Sequence, residues 1–260
     1  MKRFHALSGF VVLWVFGLAF VVGGSGVGAE TPGAPEVAKE DFHVYLLIGQ
    51  SNMAGRAEIG ERGQEVIERG YLLDGEGQWE PASNPLNRHS SIRKELGMQR
   101  LGPGYSFALK ILEEKVAGAL GLVVNAQGGT KIGQWAKGAH FYDEALRRAR
   151  EAQQSGTLKG ILWHQGESDS NNEEYLEALV QLVGDLREDL GDPDLPFVAG
   201  EVAGERPVNG QIRQLPEALE RTAVVSVEGL GTTDGTHFDH EGMWELGERY
   251  ASEMLRLLAD

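Results

Sequence analysis

Four short polar clusters carry residue types that could do chemistry together. Ser51 lies in Gly49-Gln50-Ser51-Asn52 and Gly128 in Gln127-Gly128-Gly129-Thr130. Gln165 and Glu167 lie in His164-Gln165-Gly166-Glu167, while Asp234 and His237 share Asp234-Gly235-Thr236-His237-Phe238. A serine, a histidine and a carboxylate are the parts of hydrolytic acyl transfer: a nucleophile, a general base, and the group that fixes the imidazole tautomer. The reaction also needs donors for the oxyanion of its tetrahedral intermediate. The N–H of Ser51, the N–H of Gly128 and the side-chain amide of Gln165 could supply them. Gly128 suits close backbone approach because no side chain intervenes. His237 follows Asp234 by three residues, so one loop could deliver both base and carboxylate.

Each cluster also has a plainer reading. Ser51 could cap the helix that follows it. Asp234-Gly235 could be only a turn, with His237 at the surface, and Gly128-Gly129 a loop without chemistry. Glu167 and Asp169 could cap a following helix. His164, Glu167 and Asp169 are also metal-ligand types. They occupy one turn with no second ligand group in view, so no metal is expected.

Position favours the chemical reading. Residues 44–48, 122–126 and 160–163 are apolar runs, and each leads straight into one of the first three clusters. A further run, 222–227, precedes the stretch that holds Asp234 and His237, and 196–200 reads as one more strand. Between these runs the apolar period becomes helical. Phe107, Ile111 and Leu112, with Val116 beyond them, mark one helix; 141–153 is a second. Residues 175–190 form a third, striped by Leu176, Leu179, Val180, Val183, Leu186 and Leu190 and stopped by Gly191. Residues 204–209 read as loop and 212–219 as a short helix. Asp239 is the expected N-cap of a closing helix that buries Leu246, Tyr250, Met254 and Leu257. Strands alternating with helices imply a parallel sheet covered on both faces. Such strands end at one edge, so the clusters should converge there.

Residues 58–101 are rich in glycine and proline and read as a loop-rich insertion. Trp79, Asn87, Arg88, His89 and Arg93 within it could line a substrate cleft; the alternative is a solvated excursion.

The formal net charge of −15 and a pI near 4.9 disfavour nucleic acid and anionic membrane surfaces as partners. Lys2 and Arg3, an apolar run over 10–22 and small residues up to Ala29 have the order of a secretory signal peptide. The run is shorter than the ~20 residues a spanning helix needs. Cleavage is therefore expected after Ala29, giving a secreted or periplasmic chain without stable membrane association. Removing Lys2 and Arg3 takes the charge from −15 to −17. Residues 30–41 read as a flexible lead-in and 42–260 as one domain. The chain has no cysteine, so no disulfide can form.

Longer motifs carry a resemblance. Gly49-Gln50-Ser51-Asn52-Met53-Ala54-Gly55-Arg56, Gln127-Gly128-Gly129-Thr130, Trp163-His164-Gln165-Gly166-Glu167-Ser168-Asp169 and Asp234-Gly235-Thr236-His237-Phe238 resemble the motifs of the sialate O-acetylesterase-like branch of the SGNH hydrolases. That branch includes the acetylxylan esterases of carbohydrate esterase family six. The motifs occur in the family's order, from about Val44 to the closing helix. The resemblance implies a flavodoxin-like three-layer α/β/α sandwich, with the five strands above as its parallel sheet. It also implies deacetylation of carbohydrate without metal or cofactor. It carries the nucleophile onto Ser51, the acid and base onto Asp234 and His237, and the oxyanion role onto Ser51, Gly128 and Gln165. Gln50, Asn52 and Glu167 would support them, Glu167 by bracing its turn. Acetylated xylan is the first substrate expected, O-acetylated sialic acid the second. A carbohydrate-binding protein on a retired esterase fold is the rival from another class, and a metal-dependent phosphoesterase a weaker third.

Overall fold

A computed structural model describes Met1 and residues 33–259. Apart from Met1, the expected signal peptide lies outside these residues, as do 30–32 of the expected lead-in. Seven strands form one sheet: β1 (Phe42–Gly49), β2 (Gly70–Leu73), β3 (Trp79–Pro81), β4 (Ala119–Ala126), β5 (Thr157–His164), β6 (Phe197–Gly200) and β7 (Thr222–Val225). Their order is β3-β2-β4-β1-β5-β6-β7, and every neighbouring pair is parallel except β2 with β3.

The helices are α1 (Ser51–Ala54), α2 (Gly104–Glu113), α3 (His140–Ala152), α4 (Tyr175–Leu190), α5 (Pro207–Ile212), α6 (Leu215–Ala218) and α7 (His240–Ala259). They cover both faces of the sheet, which is why its central strands read as unbroken apolar runs. Along β1, Val44, Leu46 and Ile48 pack into the layer of α3 and α4, while Tyr45 and Leu47 pack into that of α2 and α7.

The five strands expected from sequence are all present, and they lie side by side as β4-β1-β5-β6-β7. This is a flavodoxin-like order. The chain first builds to one side of β1 and then to the other, so β1 and β5 flank the point where the direction of winding changes. Open α/β sheets bind ligands at that point, beyond the carboxyl ends of the strands.

Three details depart from expectation. The sheet has seven strands rather than five, because 58–101 contributes β2 and β3. These strands are four and three residues long and set among Gly70, Gly75, Gly77 and Pro81, too short for a period to show. Val116 lies past the end of α2 and is exposed. The expected loop over 204–209 holds the start of α5, where Pro207 sits in the first turn with its φ already suited to a helix.

Candidate active site

The sheet ladder runs directly into the polar clusters. Gly49 is in register with Ala126 on one side and His164 on the other. One residue on, Gln127 N–H donates to Gly49 O at 3.1 Å and Gln50 N–H to His164 O at 2.8 Å. The clusters after β1, β4 and β5 therefore start at one level. Gly49 has φ +137°, and a Cβ there would overlap the carbonyl oxygen of His164. Only glycine turns the chain this sharply between two paired neighbours. Ser51 follows as the first residue of the one-turn helix α1 and is almost fully buried.

Across the cleft, a small hairpin carries the other two triad candidates. Thr232 bridges Phe238, Thr233 N–H donates to His237 O at 2.8 Å, and Asp239 N–H donates to Gly231 O at 3.1 Å. Asp234 Oδ1 accepts the N–H groups of Thr236 and His237 at 2.9 and 2.8 Å, which shapes the tip. Its Oδ2 lies 2.8 Å from His237 Nδ1, and His237 Nε2 lies 3.1 Å from Ser51 Oγ. The three residues thus stand in one hydrogen-bonded line. The His237 ring N–H and the two backbone N–H groups push the Asp234 carboxyl down to about 2, although its side chain is half exposed. The ionised carboxylate accepts the Nδ1 proton, which leaves Nε2 as an acceptor for the serine hydroxyl.

Asn52 joins the two sides. Its Nδ2 donates to Thr236 O at 3.0 Å and its Oδ1 accepts Phe238 N–H at 3.3 Å, so it grips the hairpin on both flanks of His237. The same Nδ2 donates to Glu167 Oε1 at 2.7 Å. The Glu167 side chain is buried, and burial pushes its carboxyl up to about 7 against the smaller opposing pull of its own backbone N–H, Asn52, Arg206 and His237. Beside it His164, wholly enclosed, is held neutral by burial, its Nδ1 3.0 Å from Tyr250 Oη. Arg206 was not singled out from the sequence. Its Nη2 donates to Thr236 Oγ1 at 3.1 Å from outside the hairpin, and no local pattern announces that contact.

Of the expected oxyanion donors, the N–H groups of Ser51 and Gly128 meet no protein acceptor among the described residues. A Cβ on Gly128 would come 3.2 Å from Ser51 Cβ, so the two backbones face each other closely. Gln165 is placed differently. Its Nε2 donates to Asp169 Oδ2 at 2.7 Å and Thr130 O at 2.8 Å, with Gln50 Oε1 at 3.3 Å. Both amide hydrogens are thereby committed to protein acceptors. In this structure Gln165 braces the turns after β1, β4 and β5 instead of aiming at the cleft, because buried Asp169 needs donors and Gln165 supplies one. Asp169 also accepts Ile132 N–H at 2.8 Å.

Of the insertion side chains named from sequence, Trp79 and Asn87 are buried and face no cleft. Trp79 is buried against Phe42, with its Nε1 donating to Ser155 Oγ at 2.7 Å. Arg88 and His89 bond Glu80, and Arg93 donates to Ser90 O. Asn87 is buried and exchanges two hydrogen bonds with the backbone of Ala126, pinning the end of β4 one residue before Gln127. Asn87 thus supports the site from behind.

Residues 41–256 match the family model described as carbohydrate esterase, sialic acid-specific acetylesterase. The chain belongs to this family. It is a carbohydrate acetylesterase, hence a carboxylic ester hydrolase. The Arabidopsis thaliana protein named "Probable carbohydrate esterase" is 30% identical over 256 residues, 88% of this chain and 97% of that one. An X-ray structure of a protein from Arabidopsis thaliana superposes with a TM-score of 0.75 at 28% identity, covering 83% of this chain and 98% of the other. The crystal structure of NanS, at 16% identity, shares the fold with a TM-score of 0.66 over 86% of this chain and 99% of its own.

Proposed function

We propose that this esterase removes O-acetyl groups from glycans through an acetyl-enzyme on Ser51. His237 Nε2 takes the Ser51 proton as Oγ bonds to the acetyl carbonyl carbon. The carbonyl π electrons move onto oxygen, and the N–H groups of Ser51 and Gly128 hold that oxyanion. The intermediate collapses, the C–O bond to the sugar breaks, and the His237 proton passes to the departing sugar oxygen. Water then attacks the acetyl-enzyme with His237 as base. A second tetrahedral intermediate releases acetate and returns the proton to Ser51. Asp234 keeps Nδ1 protonated throughout and stabilises the imidazolium.

The observation that carries this reading is the unbroken line from Ser51 Oγ through His237 to Asp234, standing at the change of winding between β1 and β5. A non-catalytic carbohydrate-binding protein would have no need of that line. Acetylated xylan and O-acetylated sialic acid are the two substrates in contention, and they differ in charge: sialic acid carries a carboxylate near its acetyl groups. Secretion after cleavage at Ala29 belongs to the same reading, since such glycans lie outside the cell.

The test is acetate release by the purified mature chain from both substrates and from 4-nitrophenyl acetate. Ser51→Ala should lower turnover at least ~10⁴-fold with the fold intact. Near-normal turnover by Ser51→Ala would overturn the assignment.

A further inference from the structure

With both Gln165 amide hydrogens spent on Thr130 O and Asp169 Oδ2, the oxyanion keeps two backbone donors, and a second side-chain amide stands next to the nucleophile. Gln50 immediately precedes Ser51 and is only 3% exposed. Its backbone N–H donates to His164 O at 2.8 Å, which fixes where the side chain starts. Its Oε1 lies 3.3 Å from Gln165 Nε2 and 3.4 Å from Ser168 N. Both neighbours are donors, and an amide nitrogen has no lone pair to offer them. The carbonyl end of the Gln50 amide therefore faces Gln165 and Ser168, and Nε2 is turned the other way. There Nε2 meets no acceptor among the described residues, yet it is not sealed off from solvent. Gln165 Oε1, by contrast, is enclosed and takes no donor, so the two amides do not pair reciprocally.

The Gln50 side chain stands where three turns meet: its own, the 165–168 turn it touches directly, and the 127–130 turn that Gln165 ties in through Thr130 O. The N–H groups of Ser51 and Gly128 lie between the same turns, also without protein acceptors among the described residues. A donor left unpaired in a nearly closed site costs free energy until something accepts from it. During acyl transfer the acceptor is the carbonyl oxygen, which gains negative charge as Ser51 Oγ adds to the carbon. Resting on the esterase reading above, we propose that Gln50 Nε2 is the third donor to that oxyanion, beside the N–H groups of Ser51 and Gly128. No proton changes hands: the amide donates a hydrogen bond that strengthens as the charge develops. Gln165 serves the oxyanion at one remove, as a positioning residue whose nitrogen sets which end of the Gln50 amide faces away from it.

The experiment removes the donor and keeps the bulk. Gln50→Met should lower kcat on 4-nitrophenyl acetate roughly 10²–10³-fold, with little change in KM. An aryl trifluoromethyl ketone adds to a reactive serine and gives a tetrahedral adduct that carries an oxyanion. Its Ki should rise by about the same factor in Gln50→Met. The matching trifluoromethyl carbinol, which cannot add, should bind both proteins alike, whereas a general loosening of the site would weaken both compounds. Should Gln50→Met not fold, a crystal structure of the wild-type ketone adduct decides without any variant: Gln50 Nε2 should lie about 2.7–3.1 Å from the adduct oxygen. A kcat loss under about tenfold, a Ki that rises no more than that of the carbinol, or an adduct oxygen out of reach of Gln50 Nε2 overturns the assignment. If turnover still requires Ser51 in that event, the esterase reading survives. Turnover that Ser51→Ala leaves intact, with no ketone adduct, overturns both.

Discussion

Glu167→Gln is the most searching perturbation of the site, because it removes a charge and keeps the shape. Glu167 is buried, Oε1 accepts a hydrogen bond from Asn52, and Oε2 has no partner. Ionising it costs free energy, which is why burial raises its carboxyl from 4.5 to about 7. The sign follows directly. Between pH 4.5 and 7 the folded chain retains a proton that the unfolded chain has released, so stability falls as pH rises through this window. At about 1.4 kcal/mol per pH unit, the loss attributable to this one group amounts to about 3 kcal/mol by pH 8. Glutamine can accept from Asn52 through its own carbonyl oxygen and has no proton to lose. The two proteins should therefore have similar stability near pH 4.5, and the variant should be the more stable by a few kcal/mol at pH 8. Urea unfolding of both proteins at pH 4.5, 6, 7 and 8 gives the difference directly. Contributions from Asp234 and other shared groups cancel in the subtraction. A difference that does not change with pH, or a wild type that remains the more stable at pH 8, would refute the reasoning.

Two further substitutions separate positioning from chemistry. Asn52→Ala strips the grip on both flanks of His237 and leaves Glu167 Oε1, Thr236 O and Phe238 N–H without their partner. An unsatisfied buried group costs about 1–3 kcal/mol, so urea unfolding should show a loss of at least that size, and kcat should fall with little change in KM. Gln165→Ala tests whether that amide braces or donates to the oxyanion. As a brace of Thr130 and Asp169 it should cost about 1–3 kcal/mol in stability. Its effect on kcat should be well short of the roughly 10²–10³-fold expected on losing an oxyanion donor. A large kcat loss with unchanged unfolding would return Gln165 to the oxyanion hole.

Much of this protein is written locally. The five parallel strands β4, β1, β5, β6 and β7, with α3, α4 and α7, are legible because each buries enough consecutive or periodic apolar side chains to show its period, and Gly191 ends α4 as a left-handed cap. The candidate triad is legible too. Ser51 must follow a strand, and Asp234 and His237 are three residues apart, so their pairing is a short-range matter of one turn. Tertiary structure alone decided the rest. Whether Gln165 faces the cleft or Asp169 depends on acceptors supplied from three separate turns. Asn52 and Thr236 are 184 residues apart, and no local period encodes their meeting. Strands β2 and β3 are too short to stabilise themselves: the edge of β4 offers β2 a ladder, and β2 in turn offers one to β3. Periodicity reports which side chains a segment buries, whereas hydrogen-bond partners depend on groups that other segments bring, and those are set only when the chain has folded.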